Sequence, residues 1–149
     1  MAKIASQYPI TTKYGWVKGY PLHTDKYDPA VPLIQRSKYP GKGYGFHTGV
    51  DRAMPIGTLI IVNGTIIGRS GNTGASTGAH LHIGRFILGI STDPKDKGFS
   101  FGATYKMYVL ATGYSSANGN YIRLRSATYG HVYLYCHLSK ITCKVGQRL

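Results

Sequence analysis

The sequence contains no glutamate. Its five acids are all aspartates (Asp25, Asp28, Asp51, Asp93 and Asp96), against 18 lysines and arginines. The absence removes any mechanism built on a catalytic Glu, so HExxH zinc proteases and Glu-pair glycosidases are excluded. It also removes the Glu–Lys i,i+4 pairs that support solvated helices. Long apolar runs are missing too. No stretch approaches the roughly 18 residues that signal a membrane span. The N-terminal MAKIASQYPITTKYG has no apolar core, so no signal peptide is expected in this chain. Cysteine is scarce: Cys136 and Cys143 are separated only by HLSKIT. A disulfide between them is open on spacing, but so short a loop would constrain little.

What is present points to strands. The chain has 149 residues, the size of one domain, with 42% hydrophobic and 15% charged residues, which excludes a disordered chain. Twenty glycines, 13 tyrosines and few helix formers favour a β-rich fold. The net charge of +13 calls for an anionic partner, unless it serves solubility alone. Nucleic acid, anionic lipid and acidic cell-wall polymers all qualify. No stacking platform or recognition helix accompanies the charge, so no specific nucleic acid is expected.

Residues 1–46 are rich in Tyr, Pro, Gly and Lys and read as turns and loops, with a short strand around 8–12. Leu59-Ile60-Ile61-Val62, the turn Asn63-Gly64 and Thr65-Ile66-Ile67-Gly68 form a hairpin signal. The glycine-spaced loop SGNTGASTG (70–78) leads into the alternating Ala79-His80-Leu81-His82-Ile83. Residues 91–106 read as a polar surface loop, and 121–125 and 132–138 as strands. The expected fold is all-β, mainly antiparallel with long loops, and without a helix longer than two turns.

Histidines supply the chemistry. His47 and Asp51 stand four apart in HTGVD, where both side chains can converge on one point. Alone they suit a His–Asp hydrogen bond in a turn better than a metal, though both are open. His80 and His82 share one face of a strand, with Leu81 turned to the core. By the same alternation His137 shares a face with Tyr135, Tyr133 and His131. Cys136 goes to the other face with Leu138, which argues against a cysteine nucleophile. His131 reads as solvent-facing and His23 as a surface residue without a partner. Together these residues offer two nitrogens, one carboxylate and spare histidines as bases, the layout of an open catalytic zinc site.

HTGVD followed by MPIGT, then SGNTGASTGAHLH, YCHLS and KVGQRL, closely resembles the lysostaphin/LytM-like M23 zinc metallopeptidases. The resemblance covers residues 8–15 and 44–149 in pieces. It implies a LytM/lysostaphin-like antiparallel β fold over 1–149, with N-terminal loops in 1–43 and the catalytic core in 44–149. It implies one Zn2+ held by His47, Asp51 and His82, with His80 and His137 as catalytic histidines. A water acidified by zinc would give a proton to His80 or His137 and attack the scissile carbonyl. Tyr39 or Tyr44 is a candidate for an added donor. The implied activity is hydrolysis of peptide bonds in bacterial peptidoglycan, in cross-bridge or stem peptide. Anionic wall polymers are possible further partners. The implied place is extracellular, at the cell wall, or virion-associated, as a lysin. A catalytically weak wall-binding or scaffold domain of the same fold is the second reading.

Arg52, Ala79 and Ile83 depart in a minor way from the family's usual residues. The order of the blocks departs in a major one. In the family the YxHLS block precedes the glycine-rich loop and HLH; here YCHLS comes after HLH. Moving residues 107–149 to a place after Ile60 restores the usual order. The connections at Ile60–Ile61 and near Lys106–Met107 must therefore differ from the family's. His137 is the residue most exposed to this change, and its role requires it to lie within about 8 Å of His80.

Overall fold

The computed structural model describes residues 8–94, 106–127 and 130–149. In chain order the elements are β1 (Ile10–Thr12), β2 (Gly15–Lys18), α1 (Leu33–Arg36), β3 (Tyr44–His47), β4 (Gly49–Ala53), β5 (Leu59–Val62), β6 (Thr65–Arg69), β7 (His80–Ile87), β8 (Ile90–Thr92), β9 (Met107–Ser115), β10 (Gly119–Ser126), β11 (Val132–Leu138) and β12 (Lys140–Ile141). The fold is all-β and antiparallel, with a single turn of helix among the described residues. No helix of the described residues is long and apolar enough to cross a membrane.

A seven-stranded sheet runs β1-β4-β7-β11-β10-β9, with β8 pairing the far end of β7. Its core face carries Leu81 and Ile83 from β7, Ile122 and Leu124 from β10, and Tyr133 and Tyr135 from β11. These pack with Ile60, Val62 and Ile67 of a three-stranded sheet, β12-β6-β5. Each fully buried apolar side chain of this kind contributes roughly 1.5–3 kcal/mol. The β5–β6 hairpin turns at Asn63-Gly64, both with positive φ, as the sequence signal requires. A second, smaller cluster of Trp16, Val31 and Phe46, with Tyr14, Tyr39 and Tyr44 against it, covers the β2–β3 pair.

Four expectations need correction. Residues 1–43 hold more than the strand expected around 8–12, which is β1 beside β4: β2 pairs β3, and α1 lies further along the same segment. The expected loop from 91 begins inside β8, and 95–105 lie outside the described residues. His23 has a partner: its Nδ1 stands 3.1 Å from Asp28 Oδ2, and both side chains are partly exposed. Alternation along β11 breaks at its end. Asn120 pairs Leu138 and Ile122 pairs Tyr135, so Cys136 and His137 together oppose one residue of β10. This is a β-bulge, and it re-aims the end of the strand. Tyr133, Tyr135 and Leu138 enter the core, while Cys136 pairs His82 and so lies on the opposite, site-bearing face. Both cysteines are free and buried.

The segments that the resemblance sets in a transposed order find their places by strand pairing. The β5–β6 register slips at Ile60–Ile61. The last residues of the chain return beside the start of β9, where the Leu149 amide donates to Met107 O and the Gly146 amide to Val109 O.

Candidate metal centre

Three strand ends meet on the site face of the large sheet. β3 delivers His47 at its last residue. Thr48 breaks the strand, and β4 then delivers Asp51. Asp51 pairs His82 across β4–β7, and His82 pairs Cys136 across β7–β11, which puts these side chains on one face. One ligand atom from each of His47, Asp51 and His82 lies within 4.8 Å of the others. His47 Nε2 is 3.3 Å and His82 Nδ1 2.9 Å from Asp51 Oδ1.

The hydrogen-bond pattern fixes what these atoms offer. A carbonyl oxygen only accepts, so His47 Nδ1 donates to Lys13 O at 2.9 Å. Neutral His47 then turns a bare lone pair on Nε2 toward the Asp51 carboxylate. Two buried acceptors so close repel unless a proton or a cation lies between them. Two imidazole nitrogens and a carboxylate oxygen are the donor set of a divalent transition metal, and the orienting Nδ1–H bond to a carbonyl is typical of a ligating histidine. The residues therefore fit a metal ion.

His80 and His137 complete the cluster. Their rings lie 4.7 Å apart between centroids, inside the roughly 8 Å that a shared role requires. His80 Nδ1 donates to Gly78 O at 2.7 Å, with Ser76 Oγ at 3.1 Å, and its Nε2 is 3.8 Å from Asp51 Oδ1. His137 Nδ1 donates to Thr73 O at 2.7 Å. In the neutral form both therefore hold their lone pairs on Nε2. His137 has φ +65°, a left-handed conformation that a non-glycine residue adopts only at some cost, and such strain concentrates at functional positions.

The glycine-rich loop explains His137's aim. A Cβ on Gly71 would stand 2.5 Å from Ser139 N and 2.8 Å from His137 O, so only glycine lets the loop press on the end of β11. Thr73 Oγ1 then donates to Leu138 O at 2.8 Å and accepts from the Asn120 amide at 3.1 Å. The loop thereby clamps the bulge and supplies the carbonyl that orients His137.

Burial sets the electrostatics. It raises the Asp51 carboxyl, but His47 and His82, when they carry a proton toward it, outweigh burial and hold the group well below the usual carboxylate range. Burial lowers His82, against the pull of Asp51. Burial also lowers His137, opposed by its bond to Thr73 O and assisted by the charges of His80 and His82. Both are thereby biased toward the neutral, lone-pair-bearing form. Burial, with the Asp51 charge, pushes the Cys136 thiol up to about 12, so it stays an inert thiol on the site face.

Tyr39 and Tyr44 belong to the Trp16 cluster. The tyrosine at the centre is Tyr20, whose ring meets His47 edge-on at 5.0 Å between centroids. Burial and the Asp51 charge raise its pKa, which keeps the hydroxyl a donor. Its loop carries no motif, so nothing in the sequence singled it out. His131 is not at the centre and lies against Arg85, with Nδ1 3.3 Å from Nη2. No protein family, curated protein or solved structure matches this chain.

Proposed function

We propose that this chain is a zinc-dependent endopeptidase that hydrolyses peptide bonds of bacterial peptidoglycan, in cross-bridge or stem peptide. The observation that carries the reading is one cluster. His47 Nε2 and His82 Nδ1 face Asp51 Oδ1, and beside them stand two further histidines whose protons are held on Nδ1 by backbone carbonyls. His47, Asp51 and His82 would hold the zinc, which when bound would supply Lewis acidity toward a peptide carbonyl and water.

The chain's own groups carry the proton traffic. His80 and His137 hold Nε2 lone pairs beside the cluster, so either takes the proton of the attacking water. One of them, once protonated, gives it to the departing amine. Tyr20 keeps its hydroxyl proton and is the donor available to the developing oxyanion. The peptidoglycan substrate, and a wall or virion location, rest on the sequence resemblance and on the +13 charge, which suits an anionic wall.

Purified protein should clear a turbid suspension of susceptible cells, and a chelator should abolish clearing until zinc is restored. Clearing that survives Asp51→Ala or His80→Ala overturns the reading. Zinc binding without clearing leaves the wall-binding scaffold as the function.

A further inference from the structure

The face that carries the histidines continues past the metal cluster. Ile122 and Leu124 of β10 enter the core, so Tyr121 and Arg123 take the opposite face. On β7 and β11 the core side is set by Leu81, Ile83, Tyr133 and Tyr135, and the three strands are neighbours. Arg123 therefore shares a face with His80 and His82. It pairs Leu134 of β11, and Cys136, the next residue of β11 on that face, pairs His82. Strands lie about 4.8 Å apart and rise about 3.4 Å per residue, so two strand steps and two residues put Arg123 roughly 12 Å from His82, backbone to backbone. The Cys136 thiol between them feels the charges of both Asp51 and Arg123.

The Arg123 guanidinium is held in place but not satisfied. Its Cζ lies 5.1 Å from the centre of the Tyr121 ring. That ring rests on bare backbone: a Cβ on Gly113 would stand 2.8 Å from Tyr121 Oη and 3.0 Å from its Cζ, so the glycine makes room for it. Among the described residues the guanidinium makes no hydrogen bond and no ion pair. Its nitrogens are unbonded without being buried, so they reach solvent, and so does the Tyr121 hydroxyl. A guanidinium can only donate, and its planar edge matches the two oxygens of a carboxylate. The acid of this face cannot serve it, because Asp51 is turned to His47 and His82. An extended peptide spans at most about 3.6 Å per residue, so one lying across the metal cluster reaches Arg123 within about four residues.

We propose that Arg123, braced by Tyr121, binds a carboxylate of the peptide that lies across the metal cluster, its guanidinium edge donating to both oxygens, and so selects acidic peptides. That the peptide is a substrate rests on the peptidase reading; the carboxylate contact does not. The test titrates the full chain, with zinc and after chelation, with two pairs of probes. One is N-acetyl-tetraalanine as free acid and as amide; the other is N-acetyl-trialanyl-glutamate amide and its glutamine counterpart. The Arg123 Hε resonance, assigned by its loss in Arg123→Gln, reports the contact by NMR. In at least one pair the acid should bind about tenfold or more tightly than its neutral partner, as hydrogen bonds to charged groups imply, and should shift that resonance. Preference in the first pair names a chain end as the source of the carboxylate, and in the second an acidic side chain. The preference should survive chelation, because the guanidinium and not the metal holds the oxygens. Arg123→Gln should abolish it with the amide spectrum otherwise preserved, and Arg123→Lys, which keeps the charge without the fork, should retain part of it. Equal binding within both pairs, no saturable binding, an unmoved Arg123 resonance, a preference seen only with zinc, or one that survives Arg123→Gln overturns the proposal. Clearing of cells without acid preference sinks the Arg123 contact alone, and acid preference without clearing sinks the peptidase reading alone.

Discussion

Gly49, the middle residue of HTGVD, gives the sharpest test of how the fold builds the cluster. It pairs Gly84 across β4–β7. A Cβ added to Gly49 would overlap the Ile83 carbonyl oxygen and stand 2.7 Å from both Cε1 and Nε2 of His82. Carbon contacts are favourable only near 3.5–4.0 Å, so the clash falls on strand backbone and on the ring that faces Asp51. Neither is the free end of a flexible side chain. Overpacking of this kind costs about 1–3 kcal/mol. At roughly 2–4 °C per kcal/mol for a chain of this size, Gly49→Ala should melt about 2–12 °C below the wild type.

The metal should register the same clash. Displacing His82 disturbs the group 2.9 Å from Asp51, and losing an orienting contact around a metal typically costs 10–100-fold in affinity. Zinc binding to Gly49→Ala should be weaker by about that factor. The control is Gly78→Ala, which leads into the same strand, has open space around its Cβ and needs no positive φ. Calorimetric melting of the metal-free proteins and competition titration with a zinc-binding dye give both numbers. A Gly49→Ala protein that matches Gly78→Ala in melting temperature and zinc affinity refutes the packing argument.

Three further outcomes are expected. His137→Asn should keep zinc affinity and stability, since Asn tolerates the left-handed backbone, while wall clearing drops by about 10²–10⁴; full clearing would remove His137 from the mechanism. Tyr20→Phe should lower kcat by about 10²-fold at unchanged KM if its hydroxyl serves the oxyanion; a change confined to KM would assign it to binding. Cys136 and Cys143 are buried thiols whose pKa values burial raises, Cys136 to about 12. A thiolate forms only as pH climbs toward that value, so the native protein should be silent to Ellman's reagent at mildly alkaline pH. Denaturation should release both thiols, and a reactive native thiol would contradict the placement.

Legibility in the sequence tracked the range of the interactions. The Asn63-Gly64 hairpin and the one-faced placement of His80 and His82 are local consequences of turn chemistry and period two, and both stand in the structure. The aim of β11 was illegible because alternation assumes an unbroken strand. Cys136 keeps the alternation, opposite Tyr135 and so on the site face, while the extra residue at 136–137 frees His137 to be turned by Thr73 O. Tyr20 and the Lys13 carbonyl were equally unreadable, since loops distant in sequence place them.

Cross-strand pairing shows how such a cluster can form whatever the order in which the chain reaches its strands. What His82 requires is Asp51 on one neighbouring strand and the end of β11 on the other. Cross-strand pairing meets that demand through Asp51↔His82 and Cys136↔His82. Pairing depends on which faces are apolar and where registers lock, and on neither count does it matter which strand was reached first. Order is felt only in the connections. The register slip sits at Ile60–Ile61, and the Gly146–Leu149 stretch bonds back to Met107 and Val109. The first lies in the three-stranded sheet that packs on the core face, and the second at the β9 edge of the large sheet, beyond β10 from β11. The chemistry-bearing face is thereby kept clear of the junctions.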